Sequence, residues 1–217
     1  MSNNFDKFIS GLEEQIKDAP ETRPETEEPQ AAPSLEFPKN SGIPKRYLEP
    51  DWLPADKTDW KAHYLKAKRV LHDAGILSLV GGRGTGKTRL AIEVCRRANA
   101  KGTRYMAAMD VFLRLQSCYR QGASESELAV LQELARARIL VLDEIQERGN
   151  TEWEDRVLTH LIDKRYGAML PTILIANLKP NELKERLGPS IIDRMHEGGG
   201  LLEIAGQSHR KTNRENG

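Results

Sequence analysis

The feature that most constrains this chain is a strand, a glycine-rich loop and a helix that follow one another without a gap. Residues 76–80 read Ile-Leu-Ser-Leu-Val, an apolar run that is typical of a buried strand. Residues 81–88 read G-G-R-G-T-G-K-T and match G-x-x-x-x-G-K-[ST], and residues 89–98 have the pattern of a helix. A phosphate-binding loop requires this order of elements. The sequence therefore predicts a nucleotide-binding site.

The residues of this loop have distinct expected roles. Its glycines allow consecutive backbone N–H groups to turn toward an anion, and the helix that follows favours negative charge at its N-terminus. We expect Lys87 to contact the β- and γ-phosphates and the Thr88 hydroxyl to bind Mg²⁺. The predicted nucleotide contacts are Gly81, Gly82, Arg83, Gly84, Thr85, Gly86, Lys87 and Thr88.

A second apolar run supplies carboxylates for the metal and for the attacking water. Residues 139–142 read Ile-Leu-Val-Leu and lead into Asp143 and Glu144. An acid at the end of such a strand can hold Mg²⁺, and a following acid can orient water. We assign Asp143 to the metal and Glu144 to the water. Taken alone, this segment would be interpreted as the start of a loop, but together with the glycine loop it predicts a hydrolytic site.

A third strand, at residues 172–176, ends at Asn177. A polar side chain at this position can reach the γ-phosphate or the attacking water. Asparagine is also a good helix cap, and the next helix is expected near Pro180. Because two other strands also end in predicted functional residues, we favour the sensing role for Asn177.

Charge and composition bound the protein class. The 217 residues carry a net charge of +1, but residues 1–40 hold nine acids and four bases, so the remainder is mildly basic. That permits contact with nucleic-acid phosphates without requiring it. The two cysteines have no paired spacing, and the chain contains neither a signal peptide nor an apolar run of membrane-spanning length. We expect a cytoplasmic protein with reduced thiols that does not contact a membrane.

Four parts are predicted along the chain. Residues 1–18 form a short amphipathic helix for partner docking, residues 19–40 an acidic proline-rich linker, residues 41–206 the nucleotide-binding domain, and residues 207–217 a tail. The apolar side of the first helix consists of Phe5, Phe8, Ile9, Leu12 and Ile16. This side either packs on its own domain or docks on a partner, and the proline-rich tether slightly favours a partner.

Strands and helices alternate through the domain, which predicts an α/β fold with a parallel sheet covered on both faces. The expected architecture is a P-loop three-layer sandwich without a full helical lid, preceded by a disordered leader. Strands are expected at 76–80, 104–108, 139–142, 172–176 and 201–204. Helices are expected at 58–73, 89–98, 109–120, 125–136, 152–167, 180–187 and 188–196.

Several motifs join the glycine loop and the Asp143 strand in carrying a family resemblance. They are S-G-I-P-K-R-Y at 41–47, D-K-R-Y at 163–166, P-T-I-L-I-A-N-L at 171–178, N-E-L-K-E-R-L-G at 181–188, I-I-D-R-M at 191–195 and S-H-R at 208–210. On these motifs, residues 41–210 resemble the AAA+ ATPases of the DnaC-type helicase loaders and their relatives, the IstB-type transposition ATPases. The block from 163 to 195 is the most specific part.

The resemblance implies an ATPase that self-assembles on a hexameric replicative helicase and loads it on single-stranded DNA, with ATP hydrolysis releasing the loader. It also implies that Arg194 completes a neighbouring subunit's ATP site, that Arg210 senses the γ-phosphate, and that the segment from Ile43 to Tyr47 borders the base. The region associated with DNA contact contains Phe112, Arg114, Tyr119 and Arg120.

Alternatives to the roles and the function implied by the resemblance remain open. Without the resemblance, Arg194 would be assigned to an ion pair with Asp193 or Glu197, and the four residues of the DNA region would be ordinary helix residues. Ser190 stands where many loaders carry a further arginine. The runner-up function is a transposition ATPase that binds DNA and directs a transposase, and the third is an adaptor that binds ATP without hydrolysing it.

Overall fold

A computed structural model describes residues 36–48, 57–98 and 101–206. The predicted docking helix, most of the linker and the tail with Arg210 lie outside these residues, so those predictions stay open. The described residues begin at Glu36, before the predicted domain boundary at Ser41, and Phe37 already packs against the core. Among the helices in the described ranges, none has the length and apolar character needed to span a membrane.

Five strands of the described residues form one sheet. They are β1 (Ile76–Val80), β2 (Thr103–Ala107), β3 (Ile139–Asp143), β4 (Thr172–Ile175) and β5 (Gly200–Glu203). Neighbouring strands all run parallel, in the order β2-β3-β4-β1-β5. Because parallel strands end at the same edge of a sheet, the carboxyl ends of β1, β3 and β4 meet where ligands bind in open α/β sheets.

Successive side chains of the central strands point to opposite faces of the sheet, so the core is divided between the two faces. One face carries Ile76, Val80, Leu140, Leu142 and Leu174. The other face carries Leu77, Leu79, Ile139, Val141, Ile173 and Ile175. Since both sets are buried, these strands are continuous apolar runs, as is expected of a parallel sheet covered on both sides.

Six α-helices in the described residues cover these faces. They are α1 (Lys57–His72), α2 (Lys87–Arg97), α3 (Ala108–Ser117), α4 (Glu127–Arg136), α5 (Glu152–Gly167) and α6 (Pro180–Gly198). Apolar side chains of α1 and α2 pack on the face of Leu77, and those of α3 to α6 pack on the face of Ile76. This arrangement confirms the predicted three-layer sandwich with a parallel central sheet.

The two helices predicted at 180–187 and 188–196 join into α6, which bends at Gly188. Gly188 has φ 75° and ψ 160°, outside helical geometry, and Pro189 follows it. A proline disfavours the helical conformation of the residue before it and has no N–H to donate, so it starts the second half of α6. The bend separates the start of the helix from the part that carries Arg194.

Arg165 is a charged side chain with no exposed surface, at the carboxyl end of α5. Burial lowers the pKa of its guanidinium to about 10, so it stays charged at neutral pH. It joins the end of α4 to the start of β4, because a guanidinium can satisfy several carbonyl groups at a helix end. Its acceptors are the carbonyls of Leu134 (2.9 Å), Ala135 (3.2 Å), Ala137 (2.7 Å) and Pro171 (2.6 Å) and the Thr172 hydroxyl (2.8 Å).

We expect Arg165→Met to lower the free energy of unfolding by about 3 kcal/mol, because buried carbonyls lose their donor while the apolar stem is kept. Urea unfolding measures the change. The matched control is Arg156→Met, at an exposed position of the same helix, with an expected change of about 0.5 kcal/mol or less. A loss for Arg165→Met no larger than that of the control would contradict this role.

Candidate functional site

The glycine loop connects the end of β1 to the start of α2, as the sequence predicts. Gly81 has φ 132° and donates its N–H to the carbonyl of Leu178 at 3.0 Å. A Cβ atom at this position would lie 2.4 Å from the carbonyl oxygen of Ile204, so only glycine fits. Gly86, with φ 95°, turns the chain into the first residue of α2. The loop is thereby held between the segments that follow β4 and β5.

Lys87 is the first residue of α2, and its side chain lies against the loop backbone. Its ammonium donates to the carbonyls of Gly81 at 2.9 Å and Gly82 at 2.7 Å, and the residue is 4% exposed. A buried positive charge beside the first turn of a helix makes this place favourable for an anion. The geometry suits the predicted contact between Lys87 and phosphate.

Thr88 and Asp143 lie side by side, although they belong to α2 and β3. The Thr88 hydroxyl donates to Oδ2 of Asp143 at 2.7 Å. A hydroxyl and one carboxylate are oxygen ligands of the type that Mg²⁺ takes when nucleotide phosphates complete its coordination. The described residues contain no group of three or more His, Cys, Asp or Glu side chains that could hold a metal by themselves. The pair therefore fits a magnesium ion that arrives with a nucleotide.

Two further donors fix the Asp143 carboxylate, which is 5% exposed. The Tyr105 hydroxyl, from β2, donates to Oδ2 at 2.8 Å, and the backbone N–H of Glu144 donates to Oδ1 at 2.7 Å. Burial, and then the charge of Asp143, raise the pKa of Tyr105 well above its usual range. The phenol therefore stays protonated and acts as a donor.

Glu144 follows Asp143 in a backbone conformation that is unusual for its residue type. It has φ 56° and ψ 43°, and its side chain is exposed beyond the end of β3. A left-handed non-glycine residue costs free energy and is common at functional sites. This turn starts a short 3₁₀ segment, Ile145–Glu147. The exposed carboxylate is accessible to water, as its predicted role requires.

Asn177 lies two residues after the end of β4 and is half-buried. Its backbone N–H donates to Oε1 of Gln146 at 2.8 Å, and the Gln146 amide contacts Glu147 at 3.2 Å. Glu147 in turn pairs with Arg83 of the glycine loop at 3.1 Å. The residue before the first turn of α6 is Lys179, so the alternative assignment of Asn177 as a helix cap is wrong.

The segment from Ser41 to Leu48 runs along β2 and α2. The Ser41 carbonyl accepts from the N–H of Tyr105 at 2.7 Å. Arg96 donates to the carbonyls of Tyr47 at 2.9 Å and Leu48 at 3.0 Å. Ile43 is buried within this segment. The predicted base-bordering residues are therefore held against the helix that begins in the glycine loop.

Arg194 lies on α6, and its partner is neither of the acids expected from the sequence. Its guanidinium pairs with Asp163 of α5 at 3.0 Å and donates to the carbonyl and hydroxyl of Ser190 at 2.8 and 2.5 Å. It also lies 5.7 Å from the centre of the Tyr166 ring. These contacts, from Ser190 and from two residues of the D-K-R-Y motif, hold a planar cation at the surface with its side chain 26% exposed.

The four residues of the proposed DNA region have different environments. Phe112 is 2% exposed and packs edge-on against Trp153, so it is not available to stack on a base and that prediction is wrong. Arg114 pairs with two carboxylates, Glu125 and Glu133, at 2.6 Å each. Tyr119 and Arg120 are exposed, and the Tyr119 hydroxyl bonds Glu127. DNA contact at Arg114, Tyr119 and Arg120 remains a prediction.

Sequence reasoning missed the supporting side chains Tyr105, Gln146 and Asp163. Gln146 lies three residues after Asp143, and this short spacing is a sequence signal that could have identified it. The role of Tyr105 depends on β2 lying next to β3, and that of Asp163 on α5 lying next to α6. Neither proximity is contained in a local motif.

Comparison with known proteins identifies a family and several relatives. Residues 55–217 match the family described as IstB-like ATP binding protein. The replicative helicase loader DnaC of Escherichia coli K12 is 29% identical over 137 residues, which are 61% of this chain and 55% of the loader. The uncharacterized protein YdaV of Escherichia coli K12 is 34% identical over 122 residues, 55% of this chain and 48% of YdaV. The chain thus spans about half the length of these curated relatives.

Solved structures share the fold. The DnaC helicase loader superposes with a TM-score of 0.62 at 22% identity, over 75% of this chain and all of the other. DnaI superposes with a TM-score of 0.58 at 21% identity, over 77% and 94%. AMPPCP-bound DnaA from Aquifex aeolicus superposes with a TM-score of 0.58 at 19% identity, over 70% and 48%. The resemblance found in the sequence is confirmed, and the chain belongs to the family of IstB-like ATP-binding proteins.

Proposed function

We propose that this protein is an ATPase that binds a replicative helicase and loads it on single-stranded DNA, with ATP binding and hydrolysis as its switch. The observation that carries the ATPase part is the contact between Thr88 and Asp143, beside Lys87 and followed by Glu144. The helicase part is supported by relatives that are named replicative helicase loaders.

Each residue of the site has a defined task in this proposal. Lys87 binds the β- and γ-phosphates, and Thr88 and Asp143 hold Mg²⁺. When bound, the ion neutralises charge on the phosphate oxygens. Glu144 orients the attacking water and accepts its proton. Asn177, whose backbone N–H donates to Gln146, hydrogen-bonds the water or the γ-phosphate through its side chain.

Arg194 acts on a different copy of the protein. Its contacts are with Asp163, Ser190 and Tyr166, and none of these belongs to the loop or to the ends of β3 and β4. A partly exposed guanidinium held in one orientation suits contact with the γ-phosphate of a neighbouring subunit. In this proposal the protein self-assembles on the helicase, so that Arg194 of one copy contacts the ATP of the next copy, and Arg210 senses the γ-phosphate in its own subunit.

A second candidate function is a transposition ATPase, because the matching family is described as IstB-like. Both functions use the same ATP chemistry, so partner binding separates them. Co-purification with the host's replicative helicase, with and without ATP, tests the first candidate. ATP-dependent retention of the helicase is expected. Binding to duplex DNA without any helicase retention would instead favour the transposition ATPase.

We expect a chain that begins at Glu36 to bind ATP but not the helicase. The cut is placed there because Phe37 packs on the core and lies 4.9 Å from the Arg96 guanidinium. Changing both Phe8 and Leu12 to Asp should reproduce the loss in the full chain, since a partner groove would have to desolvate the new charges. Helicase pull-down, with thermal melting in the presence and absence of ATP, measures the effect.

The matched control for this prediction changes Asn3 and Ser10 to Asp. Both residues lie outside the apolar side of the predicted first helix. Undiminished pull-down by the shortened chain would mean that the ATPase domain contacts the helicase. An unfolded shortened chain would mean that the first residues stabilise the domain.

A further inference from the structure

The hydroxyl of Tyr105 reaches the carboxylate to which the magnesium is assigned, although no sequence motif includes it. We propose that Tyr105 is a positioning residue that fixes the Asp143 carboxylate for Mg²⁺ and links it to the segment from Ser41 to Leu48. This inference rests on the proposed ATPase function. It assigns a role outside the glycine loop and the strand that ends at Asp143.

The hydrogen bonds on Asp143 carry the first step of the argument. Oδ2 accepts from both the Thr88 and the Tyr105 hydroxyls, at 2.7 and 2.8 Å, while Oδ1 accepts from the N–H of Glu144 at 2.7 Å. Three donors, from α2, from β2 and from the residue that follows β3, restrict rotation of the carboxylate. Such outer partners orient a metal ligand, and their loss typically weakens metal binding about 10- to 100-fold.

The placement of Tyr105 makes its hydroxyl a fixed donor. The ring packs against the core cluster that contains Leu79 and Val141, on the sheet face that α2 covers. Tyr105 pairs in register with Val141, so its side chain and that of Asp143 lie on the same face of neighbouring strands. Holding the ring in the core keeps the hydrogen bond partly shielded from water, which strengthens it.

The backbone of the same residue contacts the segment that begins at Ser41. Its N–H donates to the Ser41 carbonyl at 2.7 Å. A Cβ atom added to Gly42 would lie only 2.1 Å from the carbonyl oxygen of Tyr105. No side chain fits between the two strands of backbone at Gly42. Tyr105 therefore connects the predicted base-bordering segment to the metal-binding carboxylate through one residue.

The test is Tyr105→Phe, which removes the hydroxyl and keeps the ring. Binding of a fluorescent ATP analogue is titrated with Mg²⁺ and is also measured in EDTA. We expect the Mg²⁺ concentration for half-maximal enhancement of binding to rise about tenfold, with affinity in EDTA unchanged. The control is Tyr64→Phe, because Tyr64 packs against the same cluster but contacts Trp60 and Arg97.

Each outcome separates this inference from the proposed function. A wild-type Mg²⁺ titration for Tyr105→Phe overturns the inference and leaves the ATPase standing. A lower melting temperature without ligand, or an equal loss of affinity with and without Mg²⁺, would make Tyr105 a structural residue and also overturn it. If the unchanged protein binds no nucleotide, the proposed function fails and the inference fails with it.

Discussion

Lys87→Ala is expected to abolish ATP binding, whereas Glu144→Gln is expected to bind ATP and fail to hydrolyse it. Lys87 supplies a nearly buried positive charge beside the loop that would hold the phosphates, so its loss acts on the bound state. Glu144 is exposed after β3, and its assigned role is on the attacking water, so its loss is expected to act on hydrolysis and not on binding. Removing a positioned general base typically lowers a rate about 10²- to 10⁴-fold.

Nucleotide binding and phosphate release are measured on both variants. The matched controls are Lys184→Ala and Glu185→Gln, at exposed positions of α6, which should bind and hydrolyse ATP as the unchanged protein does. Wild-type hydrolysis by Glu144→Gln would remove the base assignment, and wild-type affinity of Lys87→Ala would remove the phosphate assignment.

The centre of the site follows from the sequence because its determinants are local. A strand, a glycine loop and a helix are contiguous in the chain, so residues 76–97 could be assigned without knowing the rest of the fold. β1 begins and ends where predicted, and α2 begins at Lys87, within the motif. The run of aliphatic residues before Asp143 likewise predicted a strand that is buried throughout.

The surroundings of the site do not follow from the sequence, because they depend on the order of strands. Tyr105 reaches Asp143 only because β2 lies beside β3, and Gln146 reaches the N–H of Asn177 only because β3 lies beside β4. Sequence spacing gives no measure of these distances. The predicted alternation of strands and helices is compatible with many strand orders.

Charged side chains produced the largest differences between expectation and structure. Arg165 lies in the D-K-R-Y motif, but the motif does not predict its burial, because arginine is almost never fully buried. Its burial is compensated by carbonyl groups of α4 and of the residue before β4, and no local sequence pattern predicts these contacts. The alternative assignment of Arg194 was an ion pair with acids of its own helix, but the structure pairs it with Asp163 of α5. Long side chains form hydrogen bonds and ion pairs with other elements, and the separation of two residues in the sequence does not predict such contacts.

Arg194→Ala is expected to leave the ATP affinity of the isolated subunit nearly unchanged and to lower hydrolysis in the assembled state about 10³-fold. The reason is that its contacts lie on α5 and α6, away from its own loop. Arg194→Lys should also be inactive, because a lysine keeps the charge but lacks the planar fork that contacts two oxygens. Arg156→Ala, at an exposed position of α5, is the control.

Mixing Arg194→Ala chains with Lys87→Ala chains tests whether the arginine acts between subunits. An Arg194→Ala subunit keeps an intact loop, and a Lys87→Ala neighbour can supply the missing guanidinium, so some interfaces of the mixture are complete. Phosphate release by the mixture should therefore exceed that of either parent under assembly conditions. If the mixture assembles, as judged by sedimentation, yet stays as inactive as both parents, Arg194 does not complete a neighbour's site and its pairing with Asp163 is structural.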